Sequence, residues 1–152
     1  GKRKHNVVNS LYLTPQALEG LVKERFARYE QIKKNEQRVQ EYLVDDAEIV
    51  VVAYGASSRV AHSAVDSARA KGIKAGLIRP ITLWPFPTDA LRSAAKSAKQ
   101  FLCVEMSMGQ MVDDVRLAIN CEKPVAFFGR TGGVIPTPAE ILQEIEKLGG
   151  GQ

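Results

Sequence analysis

The stretch Glu48-Ile-Val-Val-Val-Ala-Tyr54, followed by Gly55-Ala-Ser-Ser58 and then residues 59–71, decides the fold. Its first part is a continuous apolar run rich in β-branched residues. A strand of that kind suits a place buried on both faces, the centre of a parallel sheet. Gly55-Ala-Ser-Ser58 reads as a small-residue turn, with Ser57 or Ser58 as N-cap of the helix that follows. Val60, Ala61, Ala64, Val65 and Ala68 then recur at helical spacing until Gly72 stops the pattern.

Three more units repeat this grammar. Ile73-Lys-Ala-Gly-Leu-Ile-Arg79 is a second strand ending at Pro80. The proline-rich loop Ile81-Thr-Leu-Trp-Pro-Phe-Pro87 follows, and then a helix from Thr88 or Asp89 to about Lys99. Phe101 to Glu105 is a third strand, with the loop Met106-Ser-Met-Gly109 and a helix from Gln110 to about Asn120. Val125-Ala-Phe-Phe128 is a fourth, with the loop Gly129-Arg-Thr-Gly-Gly133 and a last helix after Pro136-Thr-Pro138. Strands alternating with helices predict a three-layer α/β/α sandwich, since parallel connections need helical crossovers of one hand.

Upstream of this body, residues 1–13 are a tail whose Val7 to Leu13 could be an edge strand or an extended lead-in. Thr14-Pro15 is a helix start, N-cap and first helical residue. No proline or glycine interrupts residues 21–47, so the sequence predicts a helical arm over 14–47, about 45 Å long for about 30 residues. Leu18, Val22, Tyr29, Ile32, Val39 and Leu43 form a partial seam, with Arg25 and Glu36 at its two missing positions. A solvated arm packed at each end accounts for this pattern, and a coiled-coil partner site is the alternative. The boundary is expected after Asp45-Asp46, with the α/β domain over 48–148 and a flexible tail over 149–152.

Composition bounds the rest. The 152 residues suffice for one domain, and 45% hydrophobic and 25% charged residues are ordinary for a soluble globular protein. No apolar run approaches the roughly 20 residues that span a bilayer, and no signal segment opens the chain, so the expectation is a cytoplasmic protein with no membrane association. The net charge of +4 sits partly in Lys2-Arg3-Lys4 and is otherwise mixed with Glu and Asp, without the basic, aromatic-interleaved face of a nucleic-acid binder. Cys103 and Cys121 make no C-x-x-C pair; Cys103 reads as a small core residue of a reducing compartment. The chain opens with Gly1 rather than Met, as an excised or processed piece would.

In open α/β sheets ligands sit at the carboxyl ends of strands, which singles out four loops. Ser57, Ser58 and Arg59 form a possible anion site at a helix start, though neither a G-x-G-x-x-G nor a Walker pattern is present. Arg79 ends the second strand where an NAD enzyme wants a carboxylate. Trp84 and Phe86, on a proline-stiffened loop, suit either a protein interface or the edge of the core. Glu105 ends a strand with no titratable companion nearby, which favours a charged hydrogen bond to loop backbone or to a neighbouring chain over general-base work. Arg130 beside Gly132 and Gly133 could bind an anion, dock a partner or simply turn the chain. His62 and His5 lie apart, no G-x-S-x-G elbow exists, and metal-ligand spacing is absent, so no catalytic and no metal residue is assigned.

Taken together, Tyr54-Gly-Ala-Ser-Ser-Arg59, residues 73–87, Val104-Glu-Met-Ser-Met-Gly-Gln-Met111 and Gly129-Arg-Thr-Gly-Gly133 resemble the C-terminal domain of the alpha subunit of 2-oxoacid:ferredoxin (acceptor) oxidoreductases, of the 2-oxoisovalerate or 2-oxoglutarate type. The resemblance covers essentially the whole chain. It implies a fold similar to the transketolase C-terminal domain, parallel strand order 2-1-3-4, and an added antiparallel edge strand from Val7 to Leu13. It implies a larger enzyme that oxidatively decarboxylates a 2-oxoacid to its acyl-CoA using thiamine diphosphate, CoA and iron–sulfur clusters carried by other domains and subunits. This chain is then a non-catalytic assembly domain, with Arg79, Trp84, Phe86, Glu105, Gln110 and Arg130 as interface candidates. The alternative is a small-molecule module in which Arg59, Arg79 and Arg130 hold a phosphate such as that of CoA.

Overall fold

The computed structural model describes residue 9 and residues 11–149. They form two compact units divided between Asn35 and Glu36. In the first unit, helix α1 (Pro15–Asn35) buries none of its residues. Leu18, Val22 and Phe26 are exposed along it. Its ion pairs are local: Lys23 to Glu19 at 2.6 Å, Arg28 to Glu24 at 3.3 Å and Lys33 to Glu30 at 2.8 Å. Such pairs one turn apart each stabilise a helix by about 0.2–0.5 kcal/mol.

The second unit contains β1 (Val39–Tyr42), β2 (Ile49–Ala53), α2 (Gly55–Ala70), β3 (Ala75–Pro80), α3 (Thr88–Ala95), β4 (Gln100–Glu105), α4 (Met111–Ala118), β5 (Val125–Gly129) and α5 (Pro138–Gly149). The sheet runs β1-β3-β2-β4-β5. β3, β2, β4 and β5 are parallel, which is the expected 2-1-3-4 order, and β1 closes one edge antiparallel to β3, with Val39 opposite Pro80 and Tyr42 opposite Leu77.

Alternation along the central strand builds two cores. Val50 and Val52 face α3 and α4, with Leu91, Phe101, Cys103 and Val115. Ile49, Val51 and Ala53 face α2 and α5, with Ala64, Val65, Leu102 and Ile141. All five residues of β2 are buried, as a strand covered on both faces requires.

Two expectations about the N-terminal half are corrected. The helix does not run to residue 47; it ends at Asn35, and the compact unit begins at Glu36 rather than at residue 48. Among the described residues the antiparallel edge strand is Val39–Tyr42. Residues 11–13 are not in a strand, and Val7, Val8 and Ser10 lie outside the described residues. Cross-strand hydrogen bonding overrides local helical propensity here, because β3 would otherwise present a row of unpaired N–H and C=O groups. Arg38 begins the pairing, donating from its N–H to Thr82 Oγ1 and accepting from the N–H of Ile81 at 2.9 Å.

The turn out of β1 is tightly held. Leu43 has φ of 52°, a left-handed conformation a leucine rarely adopts. Arg69 Nη2 donates to its carbonyl at 2.7 Å, Arg69 Nε donates to Ala75 O, and both terminal nitrogens fork onto Asp46. The returning chain passes so close to β3 that a Cβ on Gly76 would lie 2.5 Å from Leu43 O. At the other end, Gly149 closes α5, and the remainder of the expected tail lies outside the described residues.

Candidate functional site

Because β2 to β5 run parallel, the loops that follow them emerge along one edge of the sheet. The structure separates their residues into three groups.

Glu105 is not a surface carboxylate. It is 1% exposed, and its side chain accepts from the N–H groups of Gln110, Met111 and Val112, at 3.1, 3.0 and 2.9 Å for the shorter contact of each. Ser107 Oγ donates to it at 3.0 Å, and Arg130 N–H donates to its main-chain carbonyl at 3.1 Å. The last residue of β4 therefore caps the first turn of α4 across the loop, placing a carboxylate at the positive end of a helix and satisfying donors the helix cannot satisfy itself. Its side chain is thus turned to loop backbone and away from the surface of this chain. The Cys103 thiol, 3.5 Å from the same carboxylate, has its pKa pushed up by burial first and by that charge second.

Arg130 is paired with Glu140 and lies over the Phe128 ring, 5.9 Å from its centroid. Phe86 is half-buried against the α3/α4 core. Gln110 gives its N–H to Glu105 and leaves its side chain exposed. Large apolar side chains also face outward on this edge: Ile81, Leu83 and Trp84 after β3, Met106 and Met108 after β4, Val134 and Ile135 after β5. Apart from Trp84, sequence reasoning passed over these residues. Their signal was present as large apolar side chains inside loops rich in proline or glycine.

Ser57 and Ser58 do not form an N-capping turn. α2 begins at Gly55, whose φ of +58° makes the sharp entry, and Tyr54 occupies the cap position without a side-chain hydrogen bond. Both serines are inside the helix and buried, and Ser58 Oγ donates back to Gly55 O at 2.7 Å. Ser57 lies in the first turn of α2, and Ser58 gives its own N–H to Tyr54 O at 3.3 Å. Arg59 projects from the exposed side of α2 and meets Arg79 of β3 in a cleft of about 280 Å³ lined also by Gln40, Tyr42, Ser58 and His62. Gln40 and Tyr42 belong to β1, which the helical reading of residues 14–47 concealed. Tyr42 stacks on His62 at 4.0 Å between ring centroids and donates to Asp66 at 2.7 Å. That hydrogen bond holds the Tyr42 phenol above its ordinary pKa. His62 Nδ1 lies 3.2 Å from the same carboxylate.

Among the described residues, no cluster of His, Cys, Asp or Glu is arranged to hold a metal ion, and Cys103 is buried while Cys121 is exposed. Two cysteines, one of them buried, do not make the ligand set of an iron–sulfur cluster. No described helix is long and apolar enough to cross a membrane.

Residues 47–141 match the family described as Pyruvate:ferredoxin oxidoreductase core domain II. The chain belongs to that family. This core domain II is 49% identical over 148 residues to ketoisovalerate oxidoreductase subunit VorB of Methanothermobacter thermautotrophicus, covering 95% of this chain and 41% of that protein. It is 43% identical over 107 residues to 2-oxoglutarate synthase subunit KorA of Methanothermobacter marburgensis, covering 70% of this chain and 28% of that protein. The chain thus spans about two fifths of the length of its VorB relative.

Two solved structures share the fold of this core domain II. One is 2-oxoglutarate:ferredoxin oxidoreductase from Magnetococcus marinus with 2-oxoglutarate, coenzyme A and succinyl-CoA bound, at TM-score 0.71 and 18% identity over 90% of this chain and 24% of that one. The other is a split-gene transketolase, described as an inactive beta4 tetramer, at TM-score 0.59 and 19% identity over 72% of this chain and 40% of that one. The transketolase C-terminal-like α/β fold expected from the sequence is the one observed.

Proposed function

We propose that this chain is the assembly domain of a 2-oxoacid:ferredoxin oxidoreductase subunit, and that it packs against the other domains and subunits through the carboxyl edge of its sheet. The whole enzyme would convert a 2-oxoacid, branched-chain or 2-oxoglutarate, to its acyl-CoA. Thiamine diphosphate, CoA and iron–sulfur clusters would be bound by its other parts.

The observation that carries this reading is the character of that edge. Trp84 is 54% exposed, Met108 83% and Ile135 56%, on three separate loops emerging from the same side of the sheet. Of the charged groups beside them, Glu105 is committed to α4 and Arg130 to Glu140. An edge with large apolar side chains and no catalytic set is suited to burial by protein, with Trp84 as a rigid anchor. The similarity to VorB and KorA subunits, each of them longer than this chain, supports the same assignment.

The test uses the full-length subunit expressed with its partners. Truncating Trp84, Met108 and Ile135 together to Ala should weaken assembly at least tenfold by native mass spectrometry across a dilution series, since anchor truncations commonly cost about 2 kcal/mol or more. Leu117→Ala is the control: that residue is also exposed, but lies at the far end of α4. Wild-type assembly by the triple variant would refute the proposal.

A further inference from the structure

We propose that the cleft between β1, β3 and α2 is a binding site for the phosphate group of a small molecule, held by Arg59 and Arg79.

The first ground is charge. Most arginines of the second unit are committed: Arg69 to Asp46 and two carbonyls, Arg92 to Ala118 O, Arg116 to Asp113, Arg130 to Glu140. Among the described residues Arg59 and Arg79 have no carboxylate partner, and both line the same cleft. The nearby acid, Asp66, is occupied by the Tyr42 hydroxyl and by His62. Two guanidinium groups without a counter-charge match a dianion, and their planar forks suit phosphate oxygens.

The second ground is the donor capacity of Arg79. Arg79 Nη1 donates to Gln40 Oε1 at 3.2 Å, yet Arg79 Nε is buried and has no hydrogen-bond partner. Arg130 Nε is buried without a partner in the same way, and an atom closed to solvent is closed to a ligand, so Arg79 would engage a phosphate through its terminal nitrogens. The orientation of His62 adds a third group. With Nδ1 turned to Asp66, its other ring nitrogen is left for a second partner.

Size narrows the ligand. At about 280 Å³ the cleft lies below the usual range of drug-sized pockets, about 300–1,000 Å³, so it suits one phosphate with a small organic body over Leu77 rather than a dinucleotide.

This inference is independent of the assembly role, because it uses none of the loop residues tested above. Calorimetric titration of the full-length protein with inorganic phosphate, at constant ionic strength in chloride, should give a saturable heat. Arg59→Gln and Arg79→Gln should each weaken that component at least tenfold, whereas Arg116→Gln should leave it unchanged. Arg59 is exposed, so Arg59→Gln keeps the test decisive if Arg79→Gln fails to fold. Phosphate binding that ignores Arg59→Gln, or no saturable heat, would overturn the site. Arg59-dependent binding of succinate tighter than that of phosphate would overturn the ligand class.

Discussion

Replacing Glu105 by Gln isolates the charge of the carboxylate that ends β4 and caps α4. Gln has nearly the same shape and keeps one acceptor oxygen, but it turns an amide NH₂ toward a cluster that is all donors: the N–H groups of Gln110, Met111 and Val112, and the Ser107 hydroxyl. Hydrogen bonds to a charged group contribute about 1.5–3 kcal/mol against about 1 for neutral ones. A charge at a helix terminus in a partly buried setting contributes up to about 2 kcal/mol. These effects overlap in one side chain, so the expected loss is about 2–4 kcal/mol rather than their sum. Glu105→Ala would leave two buried N–H groups without acceptors and should cost about 5 kcal/mol, much of the 5–15 kcal/mol that holds a domain folded. Chemical unfolding of the full-length protein gives the total. Hydrogen exchange at residues 110–112 reads the site directly and should accelerate more than exchange in β2. A Glu105→Gln protein within about 1 kcal/mol of wild type, with unchanged protection in that turn, would refute the capping argument.

Two further substitutions probe the turn after β1. Gly76→Ala would set its methyl 2.5 Å from Leu43 O and 3.0 Å from Ala47 Cβ, contacts with backbone and core that cannot swing aside, so urea unfolding should show a loss of about 1–3 kcal/mol. The Arg69 hydrogen bond holds the Asp46 carboxyl below its ordinary range. A carboxylate depressed in the folded state contributes stability above its unfolded pKa, near 4, and that contribution is lost as pH falls through the lower folded value. Asp46→Asn should therefore lower the melting temperature at pH 7 and flatten its decline below about pH 4; parallel acid limbs in the two proteins would contradict the assignment.

The parallel body was legible because apolar strands and small-residue helices alternate without interruption, and each strand is fixed by its own local pattern. β1 was not. Val39-Gln-Glu-Tyr42 is four residues with two polar members, preceded by a helix-forming run that no proline or glycine punctuates. Its state is set by β3, which lies far away in sequence and supplies its hydrogen bonds. The same blindness hid the cleft, since Gln40 and Tyr42 reach Arg59, His62 and Arg79 only through that pairing. Glu105 shows a finer limit. Its isolation among Met, Ser and Gly offered no companion group for acid–base work, but whether it turned inward to the loop backbone or outward to a partner depended on how closely α4 starts behind β4.

The connectivity of the sheet also governs how it can form. Among the described residues no two neighbouring strands are joined by a hairpin; every parallel pair, from Ile49 beside Ala75 to Phe101 beside Val125, is separated by a helical excursion, and β1 reaches β3 only after β2 and α2 have intervened. Such pairings cannot zip outward from a tight turn. Each requires closing a long loop before any hydrogen bond rewards it, which places the domain among slower folders whose half-built sheets expose sticky edges. β2, which pairs with both β3 and β4, is the strand on which both halves of the sheet must converge. Synthesis from the N-terminus delivers it before either neighbour, leaving its wholly apolar sequence to wait in the emerging chain.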